Sequence, residues 1–374
     1  MDTTRWKIAT AFTKAASSLR MSQRERAIIL ENSKGLEYLR EQLLMTRDES
    51  PQHGELYRRF MSELSGTTTL LLSNRDRIIS IVDGEYPQRL LHTDQPPSIL
   101  FFRGESLAEL HSSFIITVIG TRNPSFYGLE VTKKLCTEMA RRDITIVSGG
   151  ARGIDGQAHS SALAVGKATI AVLGCGVDVS YPKEHTHLFE QIAETGALVS
   201  EYPLGTLPRR HHFPARNRIL AGLCDVVLVT EASRFSGTLI TAGFAADYGR
   251  DVCAVPGSIL SGSSRSCHDL IREGAVIVES IDDIPRMPAH PAHVRGATNR
   301  TPQRPEAERR RTEMNREEVC ILNLLEAAPR TLHAISEHCQ IDLRTTALSL
   351  ATLQSRGLVR LYRGLYVRSR GMCE

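Results

Sequence analysis

FIITVIG (114–120), ITIVSGG (144–150) and ATIAVLG (168–174) are the first three of seven short apolar runs that decide the fold of this 374-residue chain. The other four are ALVSEYP (197–203), DVVLVTEA (225–232), DVCAVPG (251–257) and AVIVES (275–280). The runs are rich in β-branched residues, and the segments between them have the apolar spacing of helices. Apolar strands that alternate with helices are typical of parallel strands buried on both faces. The sequence therefore predicts an α/β fold, a doubly wound parallel sheet, over residues 112–281.

Residues 1–77 and 78–111 precede the predicted sheet. The first segment is rich in helix formers, with apolar residues at three- and four-residue spacing, and predicts an N-terminal helical region. In the second segment, Tyr86-Pro87 and Pro96-Pro97 interrupt the pattern, because a residue that precedes proline avoids helical backbone angles. We interpret residues 78–111 as an extended lead-in segment that ends in a short strand.

Two further segments follow the predicted sheet. Residues 282–312 contain five prolines and seven arginines, which predicts a flexible Pro/Arg-rich linker. Residues 313–374 show three helical patterns and then two alternating runs about Arg363-Gly364, which predicts a winged helix-turn-helix domain. Residues 343–373 hold six arginines and no acidic residue. That surface is compatible with duplex DNA or a partner protein, and equally with a solvated basic face.

Composition restricts the class of protein only in part. The chain has 46 basic and 42 acidic side chains, and its net charge of +4 lies entirely in residues 282–374. No stretch approaches the roughly 18 apolar residues of a membrane helix, and the N-terminus lacks a signal-peptide core. The eight cysteines form no CxxC pair, which favours reduced thiols over a disulfide framework or zinc site. We expect a cytoplasmic protein without membrane insertion, metal or cofactor.

The residues that follow the predicted strands carry the functional signal. Ligands of an open parallel sheet bind at the carboxyl ends of its strands. Glycines let a backbone approach an anion, helix N-termini attract it, and arginine forks match phosphate oxygens. The candidate phosphate-binding residues are Gly120, Thr121, Arg122, Gly149, Gly150, Arg152, Gly153, Arg216, Asn217, Arg218, Ser236, Gly237 and Thr238. In the alternative interpretation the glycines only form tight turns and the arginines are solvated.

Several motifs that would indicate an enzyme are missing from the sequence. It has no GxGxxG after the first strand and no GxxxxGK[ST], so dinucleotide binding and ATP hydrolysis lack their usual support. It also has no GxSxG and no HExxH. His159 follows Asp155 by four residues, and we predict a hydrogen-bonded pair that steadies the loop rather than a general base.

The motifs together resemble the DNA-processing protein A (Smf) family, over roughly residues 83–280. They are VIGTRNPSFYG (118–128), VSGGARGIDGQAH (147–159), YPKEHTHLF (181–189), GALVSEYPLG (196–205), FPARNRILAGL (213–223), EASRFSGTLITAGFAADYGR (231–250) and VPG (255–257). The resemblance implies a Rossmann-like domain that binds single-stranded DNA and has no known catalytic activity. It further implies a homodimer that protects incoming single strands. Such a dimer loads RecA recombinase onto strands coated by single-strand-binding protein, in natural transformation.

The resemblance also implies roles for individual residues. Arg122 would be the principal DNA-contacting arginine, and Arg152 and the turn 216–218 would line the same groove. Bases of a single strand stack on flat side chains, and four aromatic residues lie beside these arginines in the sequence. Base stacking and ordinary packing are equally open for these four, which are Phe126, Tyr127, Phe213 and Phe235.

The sequence departs from the family pattern at two places, and two alternative functions stay open. Gly35 is the only glycine among the first 50 residues, so the glycine-rich hairpins common at the family's N-terminus are missing, and residues 266–271 differ from the usual loop. One alternative is a phosphoribohydrolase-like enzyme, although Thr241 stands where its catalytic glutamate would be. The other is a transcription regulator, with the winged helix as reader and the sheet as phosphate-ligand sensor.

Overall fold

The computed structural model describes residues 3–66, 75–105, 108–112, 114–234, 236–287, 315–362 and 364–368. The chain divides into two compact units, residues 1–290 and residues 291–374. Each unit has its own hydrophobic core.

The first unit begins with four helices: α1 (Thr3–Ser18), α2 (Gln23–Asn32), α3 (Leu39–Thr46) and α4 (Pro51–Gly66). Small alanines on α1 allow a close approach to α4, and Trp6, Phe12 and Phe60 are buried in the shared core. Ser22 caps α2 with a reciprocal pair of hydrogen bonds to Glu25, which satisfies backbone amides that the first turn leaves free. These four helices lie within residues 1–77, for which the sequence predicts a helical region.

Nine strands then form a single sheet. They are β1 (Asp76–Ser80), β2 (Ile99–Gly104), β3 (Ile115–Ile119), β4 (Thr145–Ser148), β5 (Thr169–Val172), β6 (Ala197–Ser200), β7 (Val226–Val229), β8 (Asp251–Ala254) and β9 (Val276–Ile277). Their order across the sheet is β1-β2-β6-β5-β4-β3-β7-β8-β9. Neighbours from β6 through to β9 are parallel. The seven predicted strands are all present, and the predicted parallel α/β sheet is confirmed.

Helices cover both faces of this sheet. They are α5 (Gln88–Leu91), α6 (Phe126–Arg141), α7 (Ile154–Leu163), α8 (Thr186–Thr195), α9 (His212–Leu223), α10 (Thr238–Asp247) and α11 (Arg265–Arg272). Successive residues of a strand point to opposite faces, so Ile115 packs in the same core as Ile219 of α9, and Ile116 packs with Leu135 of α6. Burial on both faces explains why the strands read as continuous apolar runs.

The chain order places a topological switch at β3. From β3 the chain proceeds outward through β4, β5 and β6, and it then returns to place β7 on the other side of β3. Crevices outside the carboxyl ends of strands near such a switch are where open α/β sheets bind ligands.

The short strand predicted at the end of residues 78–111 is present as β2, but the segment is more than an extended lead-in. β1 lies largely within it and pairs antiparallel with β2, and β2 pairs antiparallel with β6. The two strands therefore extend the sheet. The prolines lie between the strands, where Pro87 precedes the short helix α5 and the Pro97 carbonyl accepts a hydrogen bond from buried Tyr86 at 2.6 Å.

The predicted start of the linker at residue 282 is too early. Residues Ile281–Asp283 form a 3-10 helix, Ile281 and Ile284 are buried in the core beside α6, and Met287 packs against them. Residues 282–287 therefore belong to the sheet domain. The remainder of the predicted linker, 288–312, lies outside the described residues.

The second unit has three helices followed by a two-stranded hairpin, the elements from which the sequence predicts a winged helix. Its elements are α12 (Arg316–Ala327), α13 (Leu332–Cys339), α14 (Leu343–Ser355), β10 (Val359–Tyr362) and β11 (Leu365–Arg368). The hairpin strands pair antiparallel, as predicted. Among the described arginines of 343–373, Arg356 forms an ion pair with Glu318 and Arg368 forms one with Glu326. They are therefore partly committed to the fold.

Candidate functional site

An open pocket of about 400 Å³ lies at the carboxyl ends of β3, β4 and β5. Its lining residues are Arg122, Gly149, Ala151, Arg152, Leu173, Gly174, Tyr181, Pro182 and Phe213. Four of these were predicted from sequence: Arg122, Gly149, Arg152 and Phe213. The loops after three neighbouring strands and the first turn of α9 therefore meet at one edge of the sheet.

Buried polar groups hold the loop after β4 in place from below. The Asp155 carboxylate accepts a hydrogen bond from the Ala151 amide at 3.2 Å, and the Arg216 guanidinium donates to the Gly149 carbonyl at 2.8 Å and to Val172. A β-carbon at Gly149 would lie only 2.7 Å from both side chains, so glycine is required. Burial raises the pKa of Asp155, and Arg216 opposes that shift.

The loops after β3 and β4 also pack directly against each other. Gly153 adopts φ +80°, and a β-carbon there would lie 2.4 Å from the Thr121 carbonyl oxygen. The Ile154 amide donates to that same carbonyl at 3.2 Å. A β-carbon at Gly120 would lie 2.5 Å from Cγ1 of Ile154 and 2.8 Å from the Glu231 carbonyl oxygen. The predicted tight-turn role of the glycines therefore applies to Gly120 and Gly153, whereas Gly149 lines the pocket.

Arg122 is an exposed cation in the pocket lining. Its guanidinium carbon lies 5.6 Å from the centre of the Phe213 ring, within the range of a cation–π interaction. The Tyr181 ring lies 5.6 Å from the same Phe213 ring, tilted by 41°. A positive charge and two aromatic faces are thereby presented together at the pocket.

Arg152 lies at the pocket rim and is already paired. Its guanidinium donates to the Glu184 carboxylate, with 60% of the Arg152 side chain and 49% of the Glu184 side chain exposed. The hydrogen bond from Arg152 lowers the pKa of Glu184 to about 2, so this carboxylate is ionised at neutral pH. An anion that binds Arg152 must therefore compete with Glu184.

Arg216 and Arg218 do not present their charges to solvent, which corrects the sequence prediction for both. Arg216 is 4% exposed and supports the pocket loops from beneath. Arg218 is 7% exposed and donates to the Glu201 carboxylate at 2.6 Å. Asn217 is half-buried and accepts a hydrogen bond from Arg216 Nε at 3.3 Å. Sequence spacing places these residues at the right edge but does not reveal their direction.

The remaining predicted residues lie outside the pocket lining. Tyr127 at the start of α6 donates to the Pro256 carbonyl at 2.6 Å, beside the end of β8, and Phe126 precedes it on the same turn. Ser236 and Thr238 share a hydroxyl hydrogen bond at the start of α10, next to Gly237. Thr121 and Gly150 lie in the loops that form the pocket but not on its surface. Phe235 lies outside the described residues.

Sequence reasoning missed several residues of this region. Leu173, Gly174, Tyr181 and Pro182 line the pocket, and the tyrosine and proline belong to the YPKEHTHLF motif. Arg209, Arg210 and His211 are exposed immediately before α9, two to four residues from Phe213. This basic run does not directly follow a strand, so the rule that ligands bind at strand ends does not predict it.

The predicted pairing of Asp155 with His159 is wrong. His159 lies 2.9 Å from the Thr169 hydroxyl through Nδ1, whereas Asp155 faces the loop after β4. Burial lowers the pKa of His159 to about 3, so the imidazole is neutral. Thr241, at the position of the phosphoribohydrolase glutamate, is 2% exposed and does not line the pocket. A side chain at this position is therefore not accessible from the pocket.

The described residues show neither a metal-binding cluster nor a membrane-spanning helix. No group of three or more histidine, cysteine, aspartate or glutamate residues within them could hold a metal ion. No helix in the described part of the chain is both long enough and apolar enough to cross a membrane.

Comparison with known proteins gives a consistent family. The sequence pattern of the family described as "DNA recombination-mediator protein A" matches residues 77–287. Protein Smf of Escherichia coli (strain K12) is 46% identical over 200 residues, 53% of this chain and 53% of that protein. The chain thus spans about half the length of this relative and of protein Smf of Synechocystis.

Two solved structures are similar to the chain. DNA processing protein A from Streptococcus pneumoniae has a TM-score of 0.62 and 35% identity, covering 74% of this chain and 94% of that one. DNA processing protein A from Helicobacter pylori, solved for its single-stranded DNA binding mode, has a TM-score of 0.51 and 29% identity, covering 56% and 93%. Because the family pattern covers more than half of its residues, this chain belongs to the DNA recombination-mediator protein A family.

Proposed function

We propose that the pocket at the ends of β3, β4 and β5 binds single-stranded DNA. The observation that carries this proposal is Arg122 over the Phe213 ring, with Tyr181 beside it. Single-strand sites combine a basic path for phosphates with aromatic platforms for unstacked bases. A concave pocket suits a strand whose bases can leave the stack. The single-stranded DNA binding mode of the Helicobacter pylori relative supports the same ligand.

The phosphate path extends from the pocket along the loop before α9. Arg209, Arg210 and His211 are exposed there and are continuous in sequence with the pocket residue Phe213. Each phosphate neutralised by such a side chain releases a condensed counterion. Arg122, Arg152 and these residues together give the neutral sheet domain a local basic track despite its balance of sixteen basic and sixteen acidic side chains.

The role beyond strand binding rests on the family. We propose that the chain protects incoming single strands and loads RecA recombinase onto strands coated by single-strand-binding protein, in natural transformation. Binding of this kind requires no bond-breaking step, so we propose that the chain is not an enzyme. An assay of RecA-dependent strand exchange on coated single strands tests the loading activity, which should rise when this chain is added.

A second copy of the chain is proposed to associate at the β9 edge of the sheet. Val276 and Ile277 on this edge strand are 37% and 48% exposed, and Ile259 and Leu260 in the loop after β8 are 85% and 93% exposed. Exposed apolar side chains near a strand edge favour association. Sedimentation equilibrium of the wild-type chain and of Ile277→Lys should give a dimer and a monomer, respectively.

A salt titration tests the proposed ligand. The anisotropy of a labelled oligo-dT should report binding, and duplex DNA and free nucleotides should bind more weakly. Arg122→Ala should weaken oligo-dT binding and reduce the log-log salt slope by about 0.7, the value of one lost phosphate contact. Arg40→Ala on the exposed face of α3 is the matched control. Unchanged affinity and slope for Arg122→Ala would remove the pocket as the site.

A further inference from the structure

A buried polar cluster joins the N-terminal helices to the sheet domain. Gln23, in the first turn of α2, donates from Nε2 to the Glu201 carboxylate at 3.1 Å. The other end of its amide accepts from the Ser98 backbone amide at 3.0 Å. Glu201 follows directly after β6, so a single half-buried amide bridges an N-terminal helix and the carboxyl edge of the sheet.

Two arginines surround the Glu201 carboxylate in this cluster. Arg218 of α9 donates to it at 2.6 Å, and Arg26 of α2 is attracted to it electrostatically. Arg26 is 9% exposed and Arg218 is 7% exposed. Buried ionic groups add little net stability, but their directional bonds can fix one register between packed elements. The directional bonds of this cluster therefore favour one position of α2 on the sheet domain.

The same cluster continues to the wall of the pocket. Tyr202 is the neighbour of Glu201, and its ring stacks on His212 with centroids 4.0 Å apart and 21° between planes. His212 contacts the Gly174 carbonyl through Nδ1 at 3.0 Å. Gly174 and Phe213, the residue after His212, both line the pocket. The first turn of α9 is thus held on its outer side by Tyr202 and on its inner side by the loop after β5.

We infer that Gln23 and Glu201 are positioning residues, through which the N-terminal helices fix the Phe213 wall of the pocket and so set its affinity for single strands. This inference rests on the proposed function of the pocket. It gives the N-terminal region a role in binding even though its residues do not line the pocket. None of the four residues Gln23, Glu201, Tyr202 and His212 needs to touch the strand.

The full-length variant Gln23→Met tests this inference, since methionine preserves the volume and apolar contacts of glutamine but cannot bridge Ser98 and Glu201. We expect oligo-dT affinity to fall about three- to tenfold, a typical effect of a residue that acts through others. The log-log salt slope should not change, because no phosphate contact is lost. Gln52→Met on the exposed surface of α4 is the matched control and should bind like wild type.

A double-mutant cycle separates positioning from simple stability. Tyr202→Leu removes the stacked ring further along the same connection, and its effect on affinity should be less than additive with that of Gln23→Met. A Gln23→Met variant that lowers the melting temperature but binds oligo-dT like wild type would overturn the inference, as would strictly additive effects. If wild type binds and Arg122→Ala weakens binding, such a result leaves the proposed function standing. If the wild-type chain does not bind oligo-dT, both the proposed function and this inference are wrong.

Discussion

The ion pair between Arg152 and Glu184 gives the sharpest test of how the pocket meets a phosphate. Glu184 is paired with Arg152 and, in the proposed binding mode, would compete with the strand for it. Glu184→Gln removes this competitor while it keeps the size and polarity of the side chain. Both groups are largely exposed, and exposed ion pairs of this kind change an equilibrium constant by about 1.5- to 5-fold. We therefore expect oligo-dT affinity to rise about two- to fivefold.

The salt dependence of the variant should change together with its affinity. In wild type, Arg152 exchanges one anion for another when it binds a phosphate. In Glu184→Gln, Arg152 is free to neutralise a phosphate and release a counterion, so the log-log slope should steepen by up to about 0.7. The control is Glu190→Gln on α8, which makes the same change of net charge at an exposed carboxylate outside the pocket lining.

A double-mutant cycle and a pH comparison complete this test. Arg152→Ala should weaken oligo-dT binding, because it leaves the Glu184 charge unpaired beside the strand, and Arg152→Ala with Glu184→Gln should recover part of the loss. The pKa of Glu184 is lowered to about 2, so its carboxylate remains charged well below neutral pH. The effect of Glu184→Gln should hence be equal at about pH 5.5 and about pH 7.5. Unchanged affinity and slope in Glu184→Gln would refute a phosphate contact by Arg152.

Three further predictions concern the support of the site. Arg216→Met should lower the free energy of unfolding by about 3–5 kcal/mol in thermal unfolding, because it leaves Asp155 buried without its nearby cation. The folded fraction of this variant should bind oligo-dT more weakly, with no change in the salt slope. His159 titrates at an ordinary value of 6.5 when unfolded and at about 3 when folded. Between these two pKa values the unfolded chain therefore binds one more proton than the folded chain. The free energy of unfolding should fall by about 1.4 kcal/mol for each pH unit as the pH drops through this range. Urea unfolding of His159→Gln should not show this pH dependence. Deletion of residues 313–374 should leave oligo-dT affinity largely intact, and loss of most of the affinity would move the site to the winged helix.

Sequence periodicity predicted the sheet well because its strands are buried on both faces. In the run DVVLVTEA every residue from Val226 to Val229 is buried, and the short length and β-branched residues of the run indicate a strand of a covered parallel sheet rather than a helix. Strands β1 and β2 were harder, because prolines between them obscured the alternation. The linker boundary was misplaced because Asp282, Asp283 and Pro285 look like linker residues, although Ile284 between them is buried.

The sequence predicted the edge of the sheet at which the candidate site lies, but not which side chains are exposed there. Arg122, Arg152, Arg216 and Arg218 all follow strands or open a helix, so topology brings them together, yet only two are exposed. The direction of a long side chain depends on partners distant in sequence, such as Glu201 for Arg218 and Glu184 for Arg152. No local pattern carries that information. Only the three-dimensional partners decide which arginine is a ligand contact and which is a support.

The β7 side of the topological switch at β3 differs from the side on which the pocket lies. In sheets that bind dinucleotides, the helix after the first strand points its N-terminus at a pyrophosphate. Here the buried Glu231 carboxylate occupies the start of α6, where it accepts from the Ser125 amide at 2.7 Å and from the Ser125 hydroxyl at 2.6 Å. A β-carbon at Gly128 would lie 2.2 Å from that carboxylate, so the fit of Glu231 depends on this glycine. The protein thus supplies its own anion beside β7, and the proposed strand-binding pocket lies on the other side of the switch, at the ends of β3, β4 and β5.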